Sequence, residues 1–144
     1  MIYTALTKKA LQIAFDAHKD QLDRAGAPYV FHPFHLAEQM PDELSVAAAL
    51  LHDVVEDTGI AFDALAAQGI SMEVIDILRL LTHDPAMPYM EYVQKIKDSG
   101  NPRAIRIKLA DLNHNADPSR LNEVTPEDLK RFQKYDAARR LLES

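Results

Sequence analysis

The residues best able to do chemistry in this chain stand in three short segments. The sharpest is Ala47-Ala48-Ala49-Leu50-Leu51-His52-Asp53-Val54-Val55-Glu56-Asp57. Five apolar residues lead into a stretch that carries four ionisable ones. On one helix His52 and Glu56 stand i,i+4 and share a face, and Asp53 and Asp57 do the same one step round. Ionised carboxylates beside an apolar run are costly to bury unless they are paired or bound to metal. Imidazole with carboxylate suits a borderline or hard divalent cation, so His52 and Asp53 are candidate ligands. Glu56 and Asp57, one turn later, are candidates to act on an attacking water. The same pattern also describes the solvated acidic end of a surface helix; the Ala/Leu run before it favours a site.

The second segment is Tyr29-Val30-Phe31-His32-Pro33. Here a proline fixes a histidine at a helix entrance, which makes His32 a candidate third ligand. His35 follows one turn later. Each histidine taken singly also reads as structural. The third segment is Lys108-Leu109-Ala110-Asp111-Leu112-Asn113-His114-Asn115. If helical, it lines up Lys108, Asp111 and Asn115 on one face. Asp111 is a candidate fourth ligand. Lys108 and Asn115 are candidate contacts for phosphate or ribose oxygens, and an exposed Lys–Asp pair is the plainer reading.

The elements that must position these residues read as helices. Thr4 caps a first helix reaching about Gln21. A loop with Gly26 and Pro28 follows. Pro33 opens a short helix to about Met40. Pro41-Asp42 precedes one helix from Glu43 to about Glu56, ended by Gly59. Further helices are expected over Phe62 to Ala67, over Met72 to Thr82 behind a Ser71 cap, and over Tyr89 to Asp98. Two more run from Pro102 to Asn115 and from Thr125 almost to Ser144. Ile105, Ile107 and Leu109 alternate with charged residues as a strand would, but nothing else offers a strand to pair with. The expected fold is all-α, about seven to nine helices, in one domain over residues 1–144.

Composition narrows the function classes. The 144 residues contain no cysteine, which excludes disulfides, thiolate metal sites and a cysteine nucleophile. The four glycines are too scattered for a GxGxxG or Walker A loop, and no GxSxG occurs. The formal net charge is −6, so no basic stripe for nucleic acid is expected. A small phosphorylated ligand needs only local cations or a metal. The longest apolar run, Val46 to Leu51, is far short of the ~20 residues that cross a bilayer. The start carries no secretory signal pattern. The expectation is a cytoplasmic protein without nucleic-acid or membrane partners.

In this order, His-Pro, His-Asp-x-x-Glu-Asp and Lys-x-Ala-Asp-x-x-x-Asn resemble the HD-domain hydrolases of the RelA/SpoT type. Ala17-His18-Lys19-Asp20-Gln21, Ala25-Gly26-Ala27-Pro28-Tyr29 and Leu81-Thr82-His83-Asp84 extend the likeness from about Ala10 to Leu142. The chain resembles the small stand-alone alarmone hydrolases, and the synthetase and regulatory domains of the long members are not expected in these 144 residues. The resemblance implies a single HD-domain helical fold. It implies one Mn²⁺ per chain held by His32, His52, Asp53 and Asp111, with other divalent metals compatible with the donor set. It implies that Glu56 and Asp57 position or deprotonate the attacking water. It implies removal of the 3′-pyrophosphate from a guanosine or adenosine alarmone. Asn115, Arg131 and Tyr135 match nucleotide-contacting residues.

Two positions depart from the family pattern. Guanosine-specific members carry a basic pair where this chain has Asp23-Arg24. Arg24 keeps one cation for the base, whereas Asp23 would repel phosphates or accept from an amino group on the base. Tyr89 stands where the resemblance to the small stand-alone members implies a lysine near the phosphates. An HD phosphohydrolase for another nucleotide, such as a phosphomonoester or NADPH, is therefore the second reading. A non-catalytic nucleotide-binding module is the third. Oligomeric state leaves no trace in the sequence.

Overall fold

The computed structural model describes every residue from Met1 to Ser144. Nine α-helices follow one another, with no sheet: α1 (Ala5–Ala17), α2 (Phe31–Glu38), α3 (Glu43–Leu51), α4 (Val54–Thr58), α5 (Phe62–Ala67), α6 (Met72–Leu81), α7 (Tyr89–Ser99), α8 (Pro102–Asn115) and α9 (Pro126–Glu143). A 3₁₀ turn at Pro118–Arg120 links α8 to α9. None of these helices is long and apolar enough to cross a membrane.

α3 is the hub. Every side chain from Ser45 to Leu51 is buried, so the helix is apolar on all sides and must lie inside the molecule. It packs against α1, α2, α6 and α8. α9 closes the far side, against α7 and α8. Asp42 caps α3, its Oδ1 accepting from Ser45 N at 2.9 Å. Thr4 and Thr125 open α1 and α9 with reciprocal capping boxes, each satisfying backbone N–H groups that a helix start leaves bare. The alternating segment Ile105–Leu109 lies within α8, as expected where no partner strand exists.

The structure corrects four sequence expectations. α1 stops at Ala17 instead of Gln21, and His18 forms its C-cap. α2 begins at Phe31, two residues before Pro33, so His32 sits within its first turn. Ser71 occupies the N-cap of α6, but its hydroxyl makes no cap bond. The expected single helix from Glu43 to Glu56 is broken at His52-Asp53 into α3 and α4. A continuous helix would give the Ala49 carbonyl to the Asp53 N–H. Here that carbonyl accepts from His52 Nδ1 at 2.6 Å. The break turns His52 and Asp53 together toward α2 and α8.

Candidate active site

Three helix ends meet beneath α3. α2 contributes His32 from its first turn, the α3–α4 break contributes His52 and Asp53, and α8 contributes Asp111. One potential ligand atom from each of the four lies within 4.8 Å of all the others. Donors bonded at about 2.1 Å to one ion stand at most about 4.2 Å apart, so the four need close in only slightly to share one. His32, His52 and Asp111 are buried, at 1%, 4% and 6% exposure.

Both imidazoles have their outer nitrogens spoken for. His52 Nδ1 donates to the Ala49 carbonyl. His32 Nδ1 meets Nδ1 of His114 at 2.7 Å. The inner nitrogens point at carboxylates: His32 Nε2 lies 2.9 Å from Asp111 Oδ1, and His52 Nε2 lies 3.0 Å from Asp53 Oδ2. Yet His52 Nε2 is buried without a hydrogen-bond partner. An orphaned imidazole nitrogen facing two carboxylates fits a ligand set, because most buried polar atoms in proteins find a partner. The residues therefore fit a divalent metal ion, which His32, His52, Asp53 and Asp111 would hold.

The electrostatics ask for positive charge at the same point. Burial works to raise the Asp53 carboxyl, yet His52 beside it brings its pKa down to about 2. Burial likewise opposes ionisation of Asp111, but Lys108 holds its carboxyl well below the usual range. Lys108 Nζ donates to Asp111 Oδ2 at 2.8 Å, and Asn115 Nδ2 donates to Asp111 Oδ1 at 2.9 Å. The shared face of Lys108, Asp111 and Asn115 is thus real, and both flanking side chains orient the carboxylate. The Tyr29 hydroxyl does the same for Asp53, donating to its Oδ2.

Glu56 and Asp57 lie on α4, just past the break, and reach solvent. Packing around Glu56 strips water from its carboxyl and raises its pKa, with a further upward push from Asp53. The same two causes raise Asp57. The His83 backbone N–H donates to Glu56 Oε1. Gln21 Nε2 donates to Asp57 Oδ2 at 3.1 Å. Two carboxyls with raised proton affinity beside a metal-type cluster can accept a proton from water.

A cavity of about 190 Å³ opens beside the cluster. Arg24, Asn115, Arg131 and Tyr135 all line it, with Tyr29 and Phe132. Four of the five expected substrate contacts are therefore brought to one place, across loops and helices. The fifth, Lys108, lies off this cavity, turned to Asp111 and to the ring of Tyr92 at 5.2 Å. Phe132 reads from sequence as core, but it faces the cavity.

Asp23 also lines the cavity, but its carboxylate serves its own loop. Asp23 Oδ1 accepts from the N–H groups of Ala25 and Ala27, both at 2.9 Å. Its Oδ2 faces Arg120 at 3.7 Å. Neither a base-reading nor a phosphate-repelling role is needed to explain the residue. Sequence reasoning missed Arg120, which ties this loop to the end of α8 by donating to the His114 carbonyl at 2.9 Å. No local pattern marks it. It also gave no role to Tyr29, although its place one turn before His32 was a usable signal.

No family model matches the chain. Individual relatives do. A guanosine-3′,5′-bis(diphosphate) 3′-pyrophosphohydrolase of Danio rerio is 31% identical over 145 aligned positions, covering 92% of this chain and 79% of the relative. A protein of the same name from Haemophilus influenzae is 33% identical over 134 positions, covering 85% of this chain. The chain spans only 14–20% of the length of that protein and the other long relatives it matches. A solved structure described as a metazoan ortholog of SpoT that hydrolyzes ppGpp superposes with a TM-score of 0.76 at 27% identity, covering 99% of this chain and 85% of that one. Similarity that runs through the whole helical array, and takes in most of the Danio rerio protein, shows that the chain belongs to the family of (p)ppGpp 3′-pyrophosphohydrolases.

Proposed function

We propose that this protein is a metal-dependent phosphohydrolase that removes the 3′-pyrophosphate from (p)ppGpp-like alarmones of guanosine or adenosine. The products are the 5′-phosphorylated nucleoside and pyrophosphate. The observation that carries this reading is the buried quartet His32, His52, Asp53 and Asp111, with its orphaned His52 nitrogen, beside a cavity lined by Arg24 and Arg131. The printed names of the relatives support the substrate class.

In this reading His32, His52, Asp53 and Asp111 would hold one Mn²⁺ per chain. When bound, it lowers the pKa of water and polarises the phosphorus centre. Glu56 and Asp57 take the proton from the attacking water, which their raised proton affinity suits. The His83 N–H and Gln21 hold these carboxylates in place. Arg24 stacks on or hydrogen-bonds the base. Asn115, Arg131 and Tyr135 contact ribose and phosphate along the cavity wall. Lys108 keeps Asp111 ionised and adds positive charge at the site. The setting is cytoplasmic and the partner is a free nucleotide, without nucleic acid or membrane.

The test is a hydrolysis panel on metal-stripped protein resupplied with Mn²⁺: ppGpp, pppGpp, ppApp, pppApp and NADPH, with products separated by chromatography. Pyrophosphate release from one or more alarmones is the expected result. Faster turnover of NADPH than of every alarmone would overturn the substrate assignment and leave the metal assignment standing.

A further inference from the structure

α9 carries five cations, and four of them have a carboxylate partner. Lys130 pairs with Glu127, Arg131 with Asp128, and Arg139 and Arg140 both with Asp136. Lys134 has none, although it is the middle cation of the helix. Its ammonium instead lies 4.5 Å from the ring centroid of Tyr89 on α7 and 5.5 Å from that of Tyr135.

The Tyr89 ring is shared. Lys108 Nζ stands 5.6 Å from the same centroid. A row therefore runs outward from the ligand cluster: Asp111, Lys108, Tyr89, Lys134. Partial burial, together with the charges of Lys108 and Arg131, lowers the proton affinity of Lys134. Of these three cations Lys108 is paired with Asp111 and Arg131 with Asp128, which leaves Lys134 alone without a carboxylate. Aromatic faces seat an ammonium but do not neutralise it. An ammonium seated in this way, at the surface, keeps its charge available to an anion.

The direction of the row identifies the anion. The cavity for the nucleoside, with Arg24, Asn115 and Tyr135, contains none of Lys108, Tyr89 or Lys134. The row leaves the ligand cluster past Tyr89 on α7 and meets the cavity wall only at Tyr135. A pyrophosphoryl group bound at the cluster has a second phosphate that must project away from the nucleoside, because the first is esterified to the ribose.

We propose that Lys134, seated on Tyr89 and Tyr135, binds the outer phosphate of the pyrophosphate group that is cleaved. This rests on the hydrolase reading above and deepens it. Lys134 supplies a point charge to a phosphate oxygen, as lysine does where no bidentate fork is required. It holds the pyrophosphoryl group that passes from the ribose 3′-oxygen to water, and later the free pyrophosphate, so it acts on binding more than on the chemical step.

The test compares wild type with Lys134→Met and Lys134→Arg. Lys134 is exposed, so both variants are expected to fold with unchanged helical circular dichroism. Lys134→Met is expected to raise KM for the alarmone about tenfold with kcat within about twofold, the size of one charge-assisted contact. Lys134→Arg is expected to restore most of the loss. The KM penalty is expected to be equal on substrates with a 5′-diphosphate and with a 5′-hydroxyl. A penalty confined to the 5′-phosphorylated substrate would assign Lys134 to the other phosphate chain and overturn the proposal. Calorimetric titration with inorganic pyrophosphate, on metal-loaded protein, provides the independent readout: Lys134→Met is expected to weaken it about tenfold. Equal affinity in both proteins overturns the proposal. Failure of the hydrolase reading shows differently, as absence of alarmone turnover in wild type, and the pyrophosphate titration still decides the role of Lys134.

Discussion

The imidazole rings of His32 and His114 lie within 3° of parallel and meet nitrogen to nitrogen, Nδ1 to Nδ1, at 2.7 Å. One proton must sit between them. Burial, Arg120 and the neighbouring histidines push the pKa of His114 down to about 3, so His114 is neutral and accepts. His32 then carries its proton on Nδ1 and keeps a free lone pair on Nε2, toward the cluster. A metal-binding histidine needs that tautomer. His114→Ala is expected to weaken metal affinity by about 10–100-fold while the fold is kept. Competition against a fluorescent chelator measures it, and unchanged affinity would show that His114 does not set the ring.

Asp53 stands between the two histidines and takes the Tyr29 hydroxyl. Asp53→Ala is expected to abolish turnover and metal binding in a protein that still shows a helical spectrum. With metal at 100 times its dissociation constant, wild type should gain roughly 5–10 °C in Tm, and Asp53→Ala almost nothing. Elemental analysis of the two proteins, beside the melting curves, checks both halves.

In the proposed mechanism Glu56 acts in its ionised form, and its pKa lies above the ordinary 4.5. The rate is therefore expected to fall as pH drops through that raised value, because protonation removes the acceptor. Glu56→Gln should lower kcat by about 10²–10⁴-fold, leave metal content intact and remove that acid limb from the residual activity. A pH–rate profile that keeps the limb in the variant would assign it to another group.

The loop that carries Arg24 is held by Asp23, whose Oδ1 accepts from two backbone N–H groups. Asp23→Ala frees both and loosens the loop. KM is expected to rise about tenfold at unchanged kcat, since a mobile Arg24 costs binding before chemistry. Asp23→Asn keeps the carbonyl acceptor and should remain close to wild type. Equal defects in both would indicate a role for the charge itself.

Asp42 caps α3 and accepts from Arg103 Nε at 3.0 Å. Burial works slightly to raise its pKa, but the Ser45 bonds and Arg103 bring it below 3.8. A depressed carboxyl stabilises the fold above its unfolded pKa, and this contribution is lost as pH falls through the folded value. Asp42→Ala should therefore cost about 1 kcal/mol at neutral pH, with the gap to wild type closing below pH ~3.8. Urea titrations at two pH values decide it.

Much of this site is legible in the sequence because its logic is local. The period of Lys108, Asp111 and Asn115 set one helical face, and the structure joins all three through Asp111. The apolar run ahead of His52-Asp53 favoured a site there, and in the structure that run is buried in α3. Helix starts at Thr4, Asp42 and Thr125 followed from short side chains that accept from backbone N–H groups two or three residues on. The break at His52-Asp53 was not legible. Pattern alone continues the helix, whereas the break depends on His52 reaching back to the Ala49 carbonyl inside a packed core.

The sequence by itself determined the kinds of donor, the helical class and the faces on which the donors stand. The tertiary structure decided their meeting. His32 and Asp111 are 79 residues apart and touch only because α2 and α8 both pack on α3. Tertiary packing also decided that Asp23 is spent on its loop and that Lys134 is left without a carboxylate. Helical period acts over a few residues, but burial, orphaned atoms and unmatched charge are set by what distant segments bring to the same few ångströms.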